Sequence, residues 1–127
     1  MHYLLDTHTL IWFLEKDKRL SETAQEAIEA EDTTVDVSIV SLWEISIKQT
    51  LKKLELTVTI DDIVHECKDF GIPITPITIE AVKYIQEMPL YHRDPFDRLL
   101  VSHAATGELT LVTRDPELKQ YDIETFW

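Results

Sequence analysis

The strongest constraint on this chain is an alternation. A short apolar strand is followed by two helical segments, three times over, before a strand, a short helix and a last strand close the pattern. Residues 2–5 read as the first strand, and Asp6 ends it ahead of the dense apolar run Leu10-Ile11-Trp12-Phe13-Leu14, a helix. Ser21 caps a second helix to about residue 30, with Ala24, Ala27 and Ile28 turned inward. The β-branched stretch 34–39 is the second strand in spite of Asp36. Ser41 opens the third helix; Asp61 or Asp62 opens the fourth, which Gly71 stops after Phe70. Pro73 and Pro76 make residues 72–77 an edge strand or a connector, and Thr78 caps a fifth helix to about residue 88. Strands at 109–112 and 123–126 complete the chain. Such an alternation predicts a three-layer α/β domain with a mainly parallel central sheet flanked by helices. The chain, residues 1–127, is the right length for one domain.

The chemistry concentrates in His92-Arg93-Asp94-Pro95-Phe96-Asp97-Arg98-Leu99-Leu100. Pro95 suits the first residue of a helix, because its fixed φ fits and its missing N–H has no partner to lose. Asp94 is then the N-cap and Asp97 the third helical residue. A capping box explains acids at both positions on local grounds, and Ser41-Leu42-Trp43-Glu44 matches that pattern too. Two further acids, Asp6 and Asp115, stand just beyond strands, where open α/β sheets gather ligands. With right-handed crossovers, Asp6, Glu44, Asp97 and Asp115 fall along one edge of the sheet. Two such charges about 5 Å apart repel by roughly 3 kcal/mol at an effective dielectric near 20. A hard divalent cation removes that conflict, and an all-carboxylate set suits Mg²⁺ or Mn²⁺, which most often serve phosphoryl chemistry. Lys48, Arg93, Arg98 and Arg114 are candidate backbone contacts for a nucleic-acid substrate beside this otherwise repulsive cleft.

Other chemistries find no support. Neither HxxxH nor CxxC spacing is present for zinc, and Gly71 and Gly107 alone cannot build a phosphate-cradling loop. A nucleophile elbow is missing, and Cys67, with Val64 and Phe70 around it on a half-buried helix face, has no positioned base. The net charge of −12 opposes general attraction to nucleic acid and suits a basic partner, a bound cation or plain solubility, without choosing among them. A single cysteine, no leader sequence after Met1 and no membrane-length apolar run predict a reduced, cytoplasmic protein with no membrane association.

Four pieces together carry a resemblance. Leu4-Leu5-Asp6-Thr7-His8-Thr9-Leu10, Val40-Ser41-Leu42-Trp43-Glu44-Ile45, the 92–100 stretch and Leu111-Val112-Thr113-Arg114-Asp115 resemble PIN-domain ribonucleases. More narrowly, they resemble the VapC-type toxins of bacterial toxin–antitoxin modules, in order and spacing across nearly the whole chain. The resemblance implies a Mg²⁺- or Mn²⁺-dependent endoribonuclease with Asp6, Glu44, Asp97 and Asp115 as catalytic and metal-holding acids. Hydrolysis would leave a 3′-hydroxyl and a 5′-phosphate. Thr113 corresponds to a small hydroxyl residue supporting the site, Thr7 stands beside the first acid, and Asp94 is a cap first and a metal ligand second. His8, where many members carry a small or amide residue, and Lys52, at a turn where Gly is common, depart from the pattern. The resemblance further implies an antitoxin whose tail brings a basic side chain to the acidic cleft, and a homodimer. Trp12 and Phe13 are candidate dimer anchors, set against a core role for Trp12, Trp43 and Phe96.

Rival readings fit less well. A haloacid-dehalogenase-type phosphatase needs a second Asp two residues after the first, where this chain has His8. A receiver-like module would want paired acids near the first strand and a Lys after the last, whereas Asp6 stands alone; a degenerate PIN module acting only by binding protein would have lost one of the acids, and none is missing.

Overall fold

The computed structural model describes residues 1–127. In chain order its elements are β1 (His2–Leu5), α1 (Thr7–Glu15), α2 (Glu22–Glu29), β2 (Thr34–Ser38), α3 (Ile39–Thr50) and α4 (Ile60–Asp69). Then come β3 (Ile74–Thr75), α5 (Ile79–Glu87), α6 (Pro95–Gly107), β4 (Thr110–Val112), a 3₁₀ turn (Leu118–Gln120) and β5 (Thr125–Phe126). The five strands form one sheet in the order β3-β2-β1-β4-β5, and every pairing is parallel. The α/β expectation holds, with the proline-flanked β3 at an edge.

Side-chain alternation along the strands splits the interior into two cores. Tyr3 and Leu5 of β1 join Val35, Val37 and Val112 beneath α1, α2 and α4. Leu4 and Leu111 point the other way, into a core made with Leu100, Val101 and Ala104 of α6. That period of two is what makes a parallel sheet a middle layer. The chain builds β2 and β3 on one side of β1, then crosses back to place β4 and β5 on the other. The reversal opens a crevice at the carboxyl ends of β1 and β4.

Three local expectations are corrected. The second strand ends at Ser38, and α3 starts at Ile39 with Ser38, not Ser41, as its cap; the Ser38 hydroxyl accepts from Val40 N at 3.1 Å. Thr59 rather than Asp61 or Asp62 caps α4, in a reciprocal box with Asp62. Cys67 is fully buried while Val64 and Phe70 are exposed, so the thiol lies under the helix rather than along its rim. Burial pushes that thiol up to about 11, which leaves it unreactive. Gly71 ends α4 at φ +69, and Lys52 adopts φ +55 in the turn after α3, the conformation glycine takes most easily.

Buried His103 of α6 fixes how α3 is held. One ring nitrogen lies 2.9 Å from Ser38 Oγ, the cap of α3, and the other lies 3.2 Å from Thr75 Oγ1 on β3. Burial pushes its pKa down, keeping the ring neutral between two hydroxyls. The helix that carries Glu44 is thereby tied at its start to α6, which carries Asp97.

Candidate active site

Asp6 leaves β1 and caps α1, accepting from Thr9 N at 2.8 Å. The strand ladder runs on through Asp6 N to Val112 O at 3.1 Å, and Thr9 Oγ1 donates to the same carbonyl at 3.0 Å. The first acid is therefore fixed to the end of β4. Burial raises its pKa, while hydrogen bonds from Thr113 and Thr9 pull it back. Thr113 itself is fully buried, and its Oγ1 accepts from Asp115 N at 3.1 Å, joining the first and fourth acids.

Glu44 has no capping role. It is the sixth residue of α3, only 2% exposed, with its carboxylate turned into the crevice. Thr7 Oγ1 donates to Oε1 at 2.6 Å, and Lys48, one turn on, pairs with Oε2. Burial works against the Lys48 charge more than any other single influence. The hydrogen bond and charge of Glu44, with Asp94 and Asp97 behind it, nonetheless raise its pKa. A nearly dry carboxylate in a helix interior, held by one hydroxyl and one ammonium, has no local structural purpose.

At the start of α6 Asp94 does cap the helix, accepting from Phe96 N at 2.8 Å and Asp97 N at 3.3 Å with Pro95 as first residue. The box is not reciprocal. Asp94 N donates to His92 Nδ1 at 3.1 Å, which leaves the Asp97 carboxylate free of the helix end. His92 Nδ1 is thus an acceptor, so the proton of the neutral ring sits on Nε2. That nitrogen lies 3.2 Å from Asp97 Oδ2, 3.5 Å from Asp115 Oδ2 and 3.2 Å from Glu117 Oε2. Ligand atoms of His92, Asp115 and Glu117 all fall within 4.8 Å of one another.

Asp97 is the electrostatic focus. Its carboxyl is pushed from 3.8 up to about 7, first by burial, then by the charges of Asp94 and Glu44 and more weakly by Asp6; His92 opposes them. Carboxylates from β1, α3 and α6 therefore act on one another across a single crevice, and the imidazole links Asp97 to Asp115. Such a set is strained by its own charge and relaxed by a hard cation. Its donors are oxygens, with one imidazole at the rim, and they fit Mg²⁺ or Mn²⁺. Of the acids the sequence marks, Asp115 alone belongs to the trio of ligand atoms within 4.8 Å, while Asp6, Glu44 and Asp97, with Asp94 beside them, act on one another in the same crevice. His92 and Glu117 are additions that the sequence did not mark, for they meet the acids only through the fold.

Residues 3–124 match the PIN-domain family. The chain belongs to that family. PIN domains are generally nucleases. No curated protein sequence matches this one. Among solved structures, VapBC2 from Rickettsia felis, bound to a DNA fragment from its promoter, superposes with a TM-score of 0.71 at 18% identity, covering 99% of this chain and 98% of that one. FitAcB from Neisseria gonorrhoeae gives 0.60 at 19% identity, covering 98% of this chain and 96% of that one. The PIN domain endonuclease Utp24 gives 0.52 at 19%, covering 94% of this chain and 74% of that one.

The basic residues divide once they are placed in this PIN domain. Arg98 is turned away to hold the loop before α6, donating to Pro89 O at 3.0 Å, Ile85 O at 3.2 Å and Tyr121 Oη at 3.3 Å. Lys48 is the counter-ion of Glu44. Arg93 and Arg114 are exposed, and His8, also exposed, stands 5.7 Å from the Trp12 ring. Trp12 and Phe13 are buried in the PIN-domain core, which removes them as dimer anchors. Trp43 is the reverse correction. It is 51% exposed, its ring edge-on to Phe96 at 4.9 Å, and Phe96 is only half-buried.

Proposed function

We propose that this PIN domain is a metal-dependent endoribonuclease of the VapC toxin type, hydrolysing RNA phosphodiester bonds until a cognate antitoxin blocks it. The observation that carries the reading is the gathering of acids from separate elements around Asp97, whose carboxyl is pushed up to about 7 first by burial and then by the charges of Asp94 and Glu44. Carboxylates from separate elements are held together by Thr7, Thr113, Lys48 and His92, an arrangement that costs stability and makes sense around a cation. When bound, Mg²⁺ or Mn²⁺ neutralises the phosphodiester and acidifies the attacking water. The protein's own groups fix the geometry: Thr7 and Lys48 set the Glu44 carboxylate, Thr113 sets Asp6 against Asp115, and His92 orients Asp97. Water oxygen bonds to phosphorus, the bond to the 3′ oxygen breaks, and that oxygen takes a proton. A 3′-hydroxyl and a 5′-phosphate result.

The partner reading follows from charge. A protein of net charge −12 with an acidic crevice suits an antitoxin tail that places a basic side chain among the carboxylates. We also propose a homodimer, with the exposed α3 face bearing Ile39 and Trp43 against a second copy; sedimentation equilibrium reads it as twice the monomer mass. No helix is long and apolar enough to cross a membrane. The proposed location is the cytoplasm.

Purified protein incubated with total cellular RNA in Mg²⁺, Mn²⁺ or EDTA tests the enzyme. Discrete cuts are expected with either metal and none in EDTA. Asp6→Asn should slow them roughly a thousandfold, the scale of losing about 4 kcal/mol of transition-state stabilisation. Equal cutting by the variant would mean a contaminating nuclease. No cutting, with tight binding of a basic antitoxin tail, would leave a non-catalytic binding module.

A further inference from the structure

Beside the carboxylates lies a cleft of about 420 Å³ lined by Asp6, His8, Trp12, Arg19, Arg114 and Asp115. Arg114 and Arg19 both lie over the ring of Trp12, their guanidinium carbons 4.5 Å and 5.1 Å from its centroid. The indole is nearly buried, with Trp127 against it at 5.9 Å, so it is a fixed platform for the two cations.

The two arginines are not equivalent. Asp17 accepts from Arg19 Nε at 3.1 Å and Nη2 at 2.7 Å, which orders that side chain and uses part of its charge. Arg114 makes no salt bridge; Asp17 feels its charge only weakly, after that of Arg19, and Asp6 and Asp115 share its cleft. Its guanidinium keeps its planar fork of donors, a shape matched to a phosphate. The Asp17 carboxylate already offsets part of the repulsion between the two cations, and an anion entering the cleft beside Arg114 offsets more of it. On a protein of net charge −12, this is where a polyanion's backbone can be held without meeting only acids.

We propose that this cleft binds the RNA phosphodiester adjoining the scissile one, gripped by Arg114 with Arg19 in support. The inference rests on the nuclease reading. Because the cleft shares Asp6 and Asp115 with the acidic site, its occupant is the next stretch of the strand being cut. Trp12 is only 6% exposed, so the subsite reads the phosphate rather than stacking a base.

The test is the kinetics of a short single-stranded RNA that the wild type cuts, compared with the same RNA carrying one neutral methylphosphonate at the adjoining linkage. Arg114→Gln is expected to raise KM about tenfold with kcat within twofold, and to lower the salt slope of log KM by about 0.7, one phosphate contact on a single strand. Arg19→Gln should raise KM less, and Arg114→Lys should recover part of the loss. The neutral linkage should cost the wild type about tenfold and cost Arg114→Gln nothing more. Wild-type KM and salt slope in Arg114→Gln, or an equal loss from the neutral linkage in both proteins, would overturn the subsite while leaving the nuclease intact. Unchanged RNA kinetics with lost antitoxin neutralisation would assign the cleft to the protein partner instead. A wild type that cuts no RNA would overturn the nuclease reading and the subsite together.

Discussion

Asp97→Asn should melt about 10 °C above the wild type at pH 8 without metal, and should be inactive. In the unfolded chain the Asp97 carboxyl titrates near 3.8, whereas in the fold it titrates at about 7. Between those values the folded protein holds a proton that the unfolded chain has released, so stability falls as pH rises through the window. Above about pH 7 the cost is complete. At 1.36 kcal/mol per pH unit it would reach about 4 kcal/mol. The side chain is 22% exposed, and screening by water leaves roughly 2–3 kcal/mol. At roughly 4 °C per kcal/mol for a domain of this size, that gives the expected rise. Asparagine keeps the shape and removes the charge. The difference should close as the pH is lowered to 4, and saturating Mg²⁺ at pH 8 should raise the wild-type melting temperature well above any effect on the variant. Thermal melts at the two pH values, with and without Mg²⁺, are the measurement. A variant less stable than wild type at pH 8 would show that Asp97 supports the fold rather than straining it.

Lys48→Met should cost about 3 kcal/mol of stability, the low end for stranding one partner of a buried pair. Glu44 keeps only 3% of its side-chain surface while Lys48 keeps 31%, so the loss falls on the carboxylate. Thr7 alone cannot balance that charge. Chemical denaturation should show the midpoint restored in two separate ways. Mg²⁺ should recover it by replacing the lost ammonium. The double variant Glu44→Gln/Lys48→Met should also be more stable than Lys48→Met, because no charge is left unpaired. Additive losses in the double variant would mean that the two side chains act independently.

The fold was legible because its signals are local. Asp94 and Pro95 mark a helix start within two residues, and the prolines around β3 mark an edge. The start of α3 differs from the expectation for a physical reason. Ser38 and Ser41 can both cap, and Ile39, being β-branched, reads as one more strand residue. That shift made Glu44 look like a capping-box acid, when one further turn into the helix it is a buried charge. Trp43, expected in the core with Trp12 and Phe96, lies on the outer face of α3. The acids themselves were marked by their places after strands and at helix starts. Their support was not: His92 reaches Asp115 and Glu117 across more than twenty residues, and Arg98 is spent on the carbonyls of Ile85 in α5 and Pro89 in the loop after it. Such contacts leave no periodic trace in a sequence.

Mn²⁺ titration of the wild type and Asp6→Asn at pH 7.5, followed by calorimetry, tests directly that these carboxylates form a cation site. Saturable binding by the wild type, with protons released as Asp97 ionises, and binding at least tenfold weaker in the variant are the predicted results. No saturable binding, or equal binding by both proteins, would contradict the account.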